Sequence, residues 1–190
     1  HGLSSAPSMI ICKSRTDSEG WPVYHKSLGA SAYLRLDVTD AVVSNDTSWN
    51  GVEPTSTVFS IKNDNRTNGS SDAFIAYCFS EKQGYSKFGS YIGNGNANGT
   101  FVYLGFKPAF VIVKSATEAR NWRLWDNKRS TYNLTDEVLY PDITNAEATG
   151  DSEIDMLSNG FKLRKTSDNT SGETYIYMAF AENPFVTSTG

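Results

Sequence analysis

The sequence predicts an all-β protein made of two tandem homologous β-sandwich or jelly-roll-like units packed together. Three observations predict it. No segment sustains the 3.6-residue apolar period of an amphipathic helix, whereas short apolar runs bounded by turn signals recur at roughly 8–12-residue spacing. Aromatic residues make up 13% of the chain, and 15 glycines with many Asn, Ser and Thr supply turns, a composition that favours strands. Finally, SSDAFIAYCFSE (70–81) recurs as SGETYIYMAFAE (171–182), with Phe79 matching Phe180 and Glu81 matching Glu182 at an offset of 101 positions.

The repeat extends outward from those strands. APSMIICKS (6–14) aligns with KPAFVIVKS (107–115), and Trp21, Val23 and Tyr24 align with Trp122, Leu124 and Trp125 at the same offset. DVTDAVVS (37–44) aligns with DITNAEAT (142–149) at an offset of 105, so the second copy carries a four-residue insertion in the loop before it. VFSIK (58–62) then aligns with GFKLR (160–164). A period near 100 residues is too long for a solenoid and indicates a duplicated domain or half-domain. We therefore expect a first unit over 1–83, a connecting strand and Gly/Asn hairpin over 84–104, and a second unit over 105–190. HGLSS occupies the place that SYIGNGNANGTFVYLG (90–105) holds before the second copy, so the chain is expected to be a piece of a longer protein.

In chain order, SMIICK (8–13) reads as a strand after Pro7, then WPVYHK (21–26) and a strand around Tyr33–Leu36. Residues 41–57 are polar and irregular, VFSIK is a strand, and NDNRTNGSSD (63–72) is a turn-rich loop. The aromatic strand 73–79 closes the unit and reads as buried or nearly so. KFGSYIG (87–93) alternates weakly and reads as an edge, and GNGNANG (93–99) as a mobile hairpin tip, since Asn-Gly supports the primed turns. TFVYLGF, AFVIVKS, NWRLWD, TDEVLY, GFKLRK and TYIYMAFA continue as strands. SEIDML (152–157) is expected to make one helical turn capped by Asp151 or Ser152, and the tail NPFVTSTG to fray or lead into another domain.

Net charge is −4, without a basic stripe that would bind phosphate backbones, so nucleic acid is not an expected partner. No apolar run reaches the roughly 20 residues of a membrane helix, so no membrane insertion is expected. Cys12 and Cys78 align with Val113 and Ala179 and read as buried, unpaired thiols, with a disulfide as the alternative in an oxidising compartment. Two Cys and two His show no ligand spacing, so neither a metal site nor a cofactor is expected.

The pattern GFKPAFVIVKS (105–115), NWRLWDNKR (121–129), DITNAEAT, IDMLSNGFKL (154–163) and TYIYMAFAENP (174–184) resembles a recurring domain of tailed-phage virion proteins. These are tail fibres and adhesins, often of marine and cyanobacterial phages, where it accompanies laminin-G or concanavalin-like sandwiches. The resemblance covers the second copy fully and the first more loosely; WNGVEPTSTVFS replaces the turn before GF, and Val58 stands where Gly160 does. It implies a virion structural or receptor-binding role, an oligomer such as a trimer, and no catalytic residues.

Two residues are candidate ligand contacts. Trp49 lies in the polar loop SNDTSWNGVEP and has no counterpart in the second copy; an exposed loop tryptophan stacks on sugars or anchors proteins, whereas the competing reading folds it onto its own domain. Tyr33 is the second. Trp21 and Trp122, being shared by both copies, read as core. NDNRTNG (63–69) and SDNTSG (167–172) hold too few carboxylates for calcium and read as plain turns. Glu81 and Glu182 read as solvated strand ends, not a glycosidase pair, and no G-x-S-x-G elbow occurs. Six N-x-[ST] sequons (Asn45, Asn65, Asn68, Asn98, Asn133, Asn169) matter only in a eukaryotic host.

The expected function is a non-enzymatic virion structural or receptor-binding module of a phage tail fibre or spike, found in the virion or extracellularly. Its expected partners are copies of itself, other virion proteins and a host surface glycan. The alternatives are a subunit of an extracellular filament, a capsid decoration protein, and a concanavalin-like polysaccharide-degrading enzyme.

Overall fold

A computed structural model describes residues 1–45 and 47–184. It is nearly all β, with three antiparallel sheets. The chain divides into two units, the first over His1–Glu81 and the second beginning at Lys82.

The first unit contains β1 (Met9–Ser14), β2 (Pro22–His25), β3 (Ala32–Arg35), β4 (Val43–Ser44), a single helical turn α1 (Asn65–Asn68) and β5 (Phe74–Phe79). Its strands form one sheet in the order β4-β3-β2-β1-β5. Ile10, Cys12, Tyr24, Ala30, Tyr33 and Trp49 form its core, with Val43, Phe59 and Cys78 packed against them. A second sheet, which a sandwich requires, is not formed here among the described residues; Trp49, Phe59 and the α1 region cover the sheet instead.

The second unit is a sandwich. Its strands are β6 (Ser86–Ile92), β7 (Phe101–Tyr103), β8 (Pro108–Ser115), β9 (Arg123–Asp126), β10 (Thr135–Val138), β11 (Ala148–Leu157), β12 (Gly160–Leu163) and β13 (Thr174–Ala181). One sheet has the order β6-β13-β8-β9 and the other β10-β11-β12-β7. Tyr91, Val111, Val113, Trp125, Tyr175, Tyr177 and Ala179 from the first sheet meet Val102, Val138, Ile154, Met156, Phe161 and Leu163 from the second in one apolar core. Residues 101–108 alternate strictly between exposed and buried, the period-2 signature of a sheet with one wet face.

Pairing registers recur between the units. Met9 faces Phe79 on β5 and His25 on β2, while Phe110 faces Phe180 on β13 and Asp126 on β9, a shift of 101 on every residue. Val23 faces Leu34, and Leu124 bridges Leu139. Local bonds recur as well. Asp37 Oδ1 accepts the Trp21 N–H at 2.8 Å, and Asp142 Oδ1 accepts the Trp122 N–H at 3.2 Å. Trp122 is buried and Trp21 half-buried.

Five expectations are corrected. Residues 152–157 are not helical but lie in β11, where Ser152, Ile154 and Met156 point into the core and β10 and β12 supply the backbone partners. VFSIK is not a strand. Its counterpart β12 pairs with β7, and a Cβ at Gly160 would collide with the Val102 carbonyl; Val58 carries that Cβ. β5 is largely exposed, unlike its counterpart β13, because no strand covers its outer edge among the described residues. Residues 84–104 carry β6 and β7, each of which enters one of the second unit's sheets. Residues 93–99 therefore cross between sheets and do not close a hairpin. NDNRTNG, read as loop, contains α1, whose N-cap Asp64 accepts the Arg66 N–H at 3.0 Å. The tail from residue 185 lies outside the described residues.

Cys12 is buried, Cys78 half-buried, and neither is disulfide-bonded. Burial, with the neighbouring Cys78 adding to it, pushes the Cys12 thiol up to about 11. Thiolate, not thiol, is the reactive form. In a thiol titration at pH 8 the native chain is expected to leave Cys12 unmodified, and denaturant should release two reactive thiols. Rapid native modification of Cys12 would contradict this placement.

Candidate functional site

The loop Asn127–Leu134 joins β9 to β10, in the stretch where the sequence alignment places a four-residue insertion. It is held at both ends and in the middle. Asp126 Oδ1 accepts the N–H groups of Lys128 and Arg129 at 2.9 and 3.0 Å, and the Arg129 guanidinium bridges Asp126 and Glu147 at 2.6 and 2.7 Å. Ser130 Oγ accepts the Glu137 N–H at 3.2 Å. At the far end the Asn133 amide mimics a strand partner: its Nδ2 donates to the Met156 carbonyl at 3.1 Å, and its Oδ1 accepts the Met156 N–H at 2.9 Å.

With the loop pinned this way, Tyr132 projects into solvent, 85% exposed. Beside it lies a cavity of about 210 Å³ lined by Lys107, Asn127, Ser130, Thr131, Tyr132, Asn133, Thr135 and Met156. Enclosed small-molecule sites run to roughly 300–1,000 Å³, so this is a shallow site, with room for a sugar ring or a side chain. Glu182 stands behind Lys107 and Asn127, accepting from Lys107 Nζ at 2.9 Å and from Asn127 Nδ2 at 2.7 Å. The Lys107 ammonium holds its carboxylate below the usual glutamate range. The site thus offers an aromatic face, amide and hydroxyl donors and acceptors, and an ion pair.

A second polar cluster lies inside the same unit. Asp168, 3% exposed, pairs with Arg123 Nε at 2.8 Å and accepts from the Ser152 hydroxyl. Arg123 also reaches Asp151 at 2.5 Å and lies over the Tyr140 ring. The first unit has a parallel set. Ser48 donates to Asp64, which pairs with Arg66 at 2.7 Å, and Arg66 lies 4.5 Å over the Tyr33 ring. Serine and aspartate stand sixteen positions apart in both sets. A constellation needed twice reads as framework, not as a reaction centre.

The two sequence candidates fall in this framework. Trp49 is 2% exposed and packs edge-to-face on Tyr24 and Phe59 at 6.1 and 6.4 Å. Tyr33 is 5% exposed and lies beneath Arg66. The structure brings them into one core cluster and presents neither ring to solvent, which is the arrangement of a loop folded onto its own domain. Tyr132 escaped the sequence reading, although a signal was present: it sits in the stretch where the sequence alignment changes its offset from 101 to 105. The loop 167–172, read as plain turn, supplies the buried Asp168 and Asn169. Asn169, fully buried, is closed to glycosylation in the folded chain. Glu81 pairs with Lys26 at 2.5 Å at an exposed strand end. Among the described residues no three His, Cys, Asp or Glu side chains gather as a metal ion would need.

Residues 1–184 match a family defined as a domain of unknown function, DUF7483. No curated protein and no solved structure matches the chain. Since the match spans nearly the whole sequence, the chain belongs to the DUF7483 family.

Proposed function

We propose that this chain is a non-enzymatic binding module that takes a surface carbohydrate at Tyr132, as a receptor-binding part of a phage tail fibre or spike. The observation that carries the binding reading is Tyr132 itself, 85% exposed on a loop fixed by Asp126, Ser130 and Asn133. Aromatic rings with a polar handle are the residues that anchor interfaces. Amide and hydroxyl groups next to it suit a polyhydroxylated ligand. The virion setting rests on the sequence pattern of residues 105–184. It brings with it self-association, contacts with other virion proteins and an extracellular location. We further propose that the two units descend from one β module, which the recurring registers and the paired Asp–Trp bonds support.

The test is a glycan array probed with the chain and with Tyr132→Ala. The chain is expected to retain a defined set of glycans, and the substitution to weaken binding about tenfold or more, ~1.4 kcal/mol. Melting temperature should hardly change, because the ring is 85% exposed. If no glycan is retained, or if Tyr132→Ala binds as well as the parent, the carbohydrate reading fails and a spacer role replaces it.

A further inference from the structure

We propose that the outer edge of β5 is a strand-acceptor site. Its occupant is an extended, basic segment of the β6 type, running antiparallel in the register that β6 keeps with β13, supplied by the leading strand of another copy of this β unit. The argument starts from equivalence. β5 and β13 hold the same register to β1 and β8. On β13 the other edge is filled from Thr174 to Phe180 by Ile92 to Ser86. On β5 no strand fills it among the described residues.

The side chains show what such a strand covers. β6 places Tyr91 flat against Tyr175, with ring centroids 5.1 Å apart, in the second unit's core, and buries Phe88 edge-on to Phe180 on the other face of the same sheet. The counterparts of Tyr175, Tyr177 and Met178 are Phe74, Ala76 and Tyr77, and Ala76 and Tyr77 are exposed. Ile75 is 38% exposed and Tyr77 44%. Six residues of uncharged edge, with an isoleucine and a tyrosine open to water, are what natural sheets avoid leaving bare, because such an edge templates pairing. Main-chain hydrogen bonds to an added strand supply affinity, and alternate side chains supply selectivity.

Charge selects the occupant. β5 is flanked by Asp72 and Glu81. Pairing β5 with β5 of a second chain about its centre would set Asp72 opposite Glu81 twice, and like charges facing each other across a ladder are destabilising. The β6 segment 82–95 carries Lys82 and Lys87 and no acidic residue. In the β13 register its lysines arrive at the Glu81 end of β5, beside the exposed Lys26–Glu81 pair.

The experiment adds a synthetic peptide of residues 82–95 to the intact chain and follows anisotropy and amide hydrogen exchange. The expected result is saturable binding, with exchange of the alternate β5 amides not bonded to β1 slowed about tenfold or more. A scrambled peptide should do neither. Because a free peptide pays an association cost, a second form joins the same segment through a flexible linker ahead of His1; there β5 protection should appear without added peptide. Absence of β5 protection in both forms overturns the proposal. Equal protection of β5 by the scrambled peptide overturns it as well.

Discussion

Asp168→Ala is expected to be the most damaging single change in the second unit, costing about 3–5 kcal/mol. Asp168 is buried between Arg123 and the Ser152 hydroxyl, and Arg123 is itself only 11% exposed at its side chain. Alanine would leave a buried guanidinium with Asp151, half exposed, as its remaining carboxylate partner. Domains of this size hold roughly 5–15 kcal/mol in total, so the loss should lower the melting temperature by roughly 15 °C or more. Asp168→Asn keeps the volume and a partner for Ser152, and should cost less than half as much. Thermal unfolding by circular dichroism checks both; equal effects of Ala and Asn would show that lost charge pairing is not the main term.

The pH dependence separates two carboxylates of opposite sign. Burial raises the Asp168 pKa, with the Arg123 charge opposing it. A folded-state value above the unfolded one means that the folded chain holds the proton more tightly, so this contribution declines as pH rises from about 3.8. Glu173 goes the other way. The Arg120 guanidinium, outweighing burial, lowers it from 4.5 to about 2. Its contribution is therefore complete above pH 4.5 and is lost as pH falls towards 2.

The second large effect is expected at Asn169, a fully buried amide that organises the crossing loop. Its Nδ2 donates to Asn94 Oδ1 and the Asn96 carbonyl at 2.6 and 2.8 Å, and its Oδ1 accepts the N–H groups of Asn94 and Thr100 at 3.1 and 3.4 Å. Neighbouring glycines make room, since a Cβ at Gly93 would run into the Thr170 carbonyl and one at Gly99 into the Leu163 carbonyl. Asn169→Ala removes four bonds at once and strands part-buried backbone groups. At about 1–3 kcal/mol for each unsatisfied buried group, partly relieved by water, the cost is roughly 3 kcal/mol. Hydrogen exchange should localise it: residues 93–100 should lose protection before the β8–β13 pair does. Uniform loss across the unit would contradict a loop-specific role.

Strand positions were legible wherever the alternation was strong and the partner lay nearby. β1, β2, β8, β9 and β13 fall where hydrophobic pattern and turn signals put them. Ser152–Leu157 was misread because its charged residues at 153 and 155 resemble a capped turn; only β10 and β12 on either side make it a strand. Residues 58–62 and 160–164 look alike on paper. They differ because β12 has β7 beside it and a glycine where Val58 stands.

The candidate site was less legible still. Tyr132 stands between Thr131 and Asn133, with no apolar residue adjacent in sequence to mark it. Its exposure arises from Asn133 bonding to Met156 and Asp126 bonding to Arg129, contacts that join distant or irregular segments. Trp49 carried the clearer signal and went inward, since Tyr24 and Phe59 offered apolar area worth about 25 cal/mol per Å² to cover.

By itself the sequence determined the β class, the spacing of the strands and the recurrence at 101 positions, because local propensity and side-chain alternation act over a few residues. Tertiary structure alone decided which edges are filled, which polar residues are buried and which aromatic faces water. Those outcomes depend on what packs against each strand, and the packing partners come from segments up to about a hundred positions away.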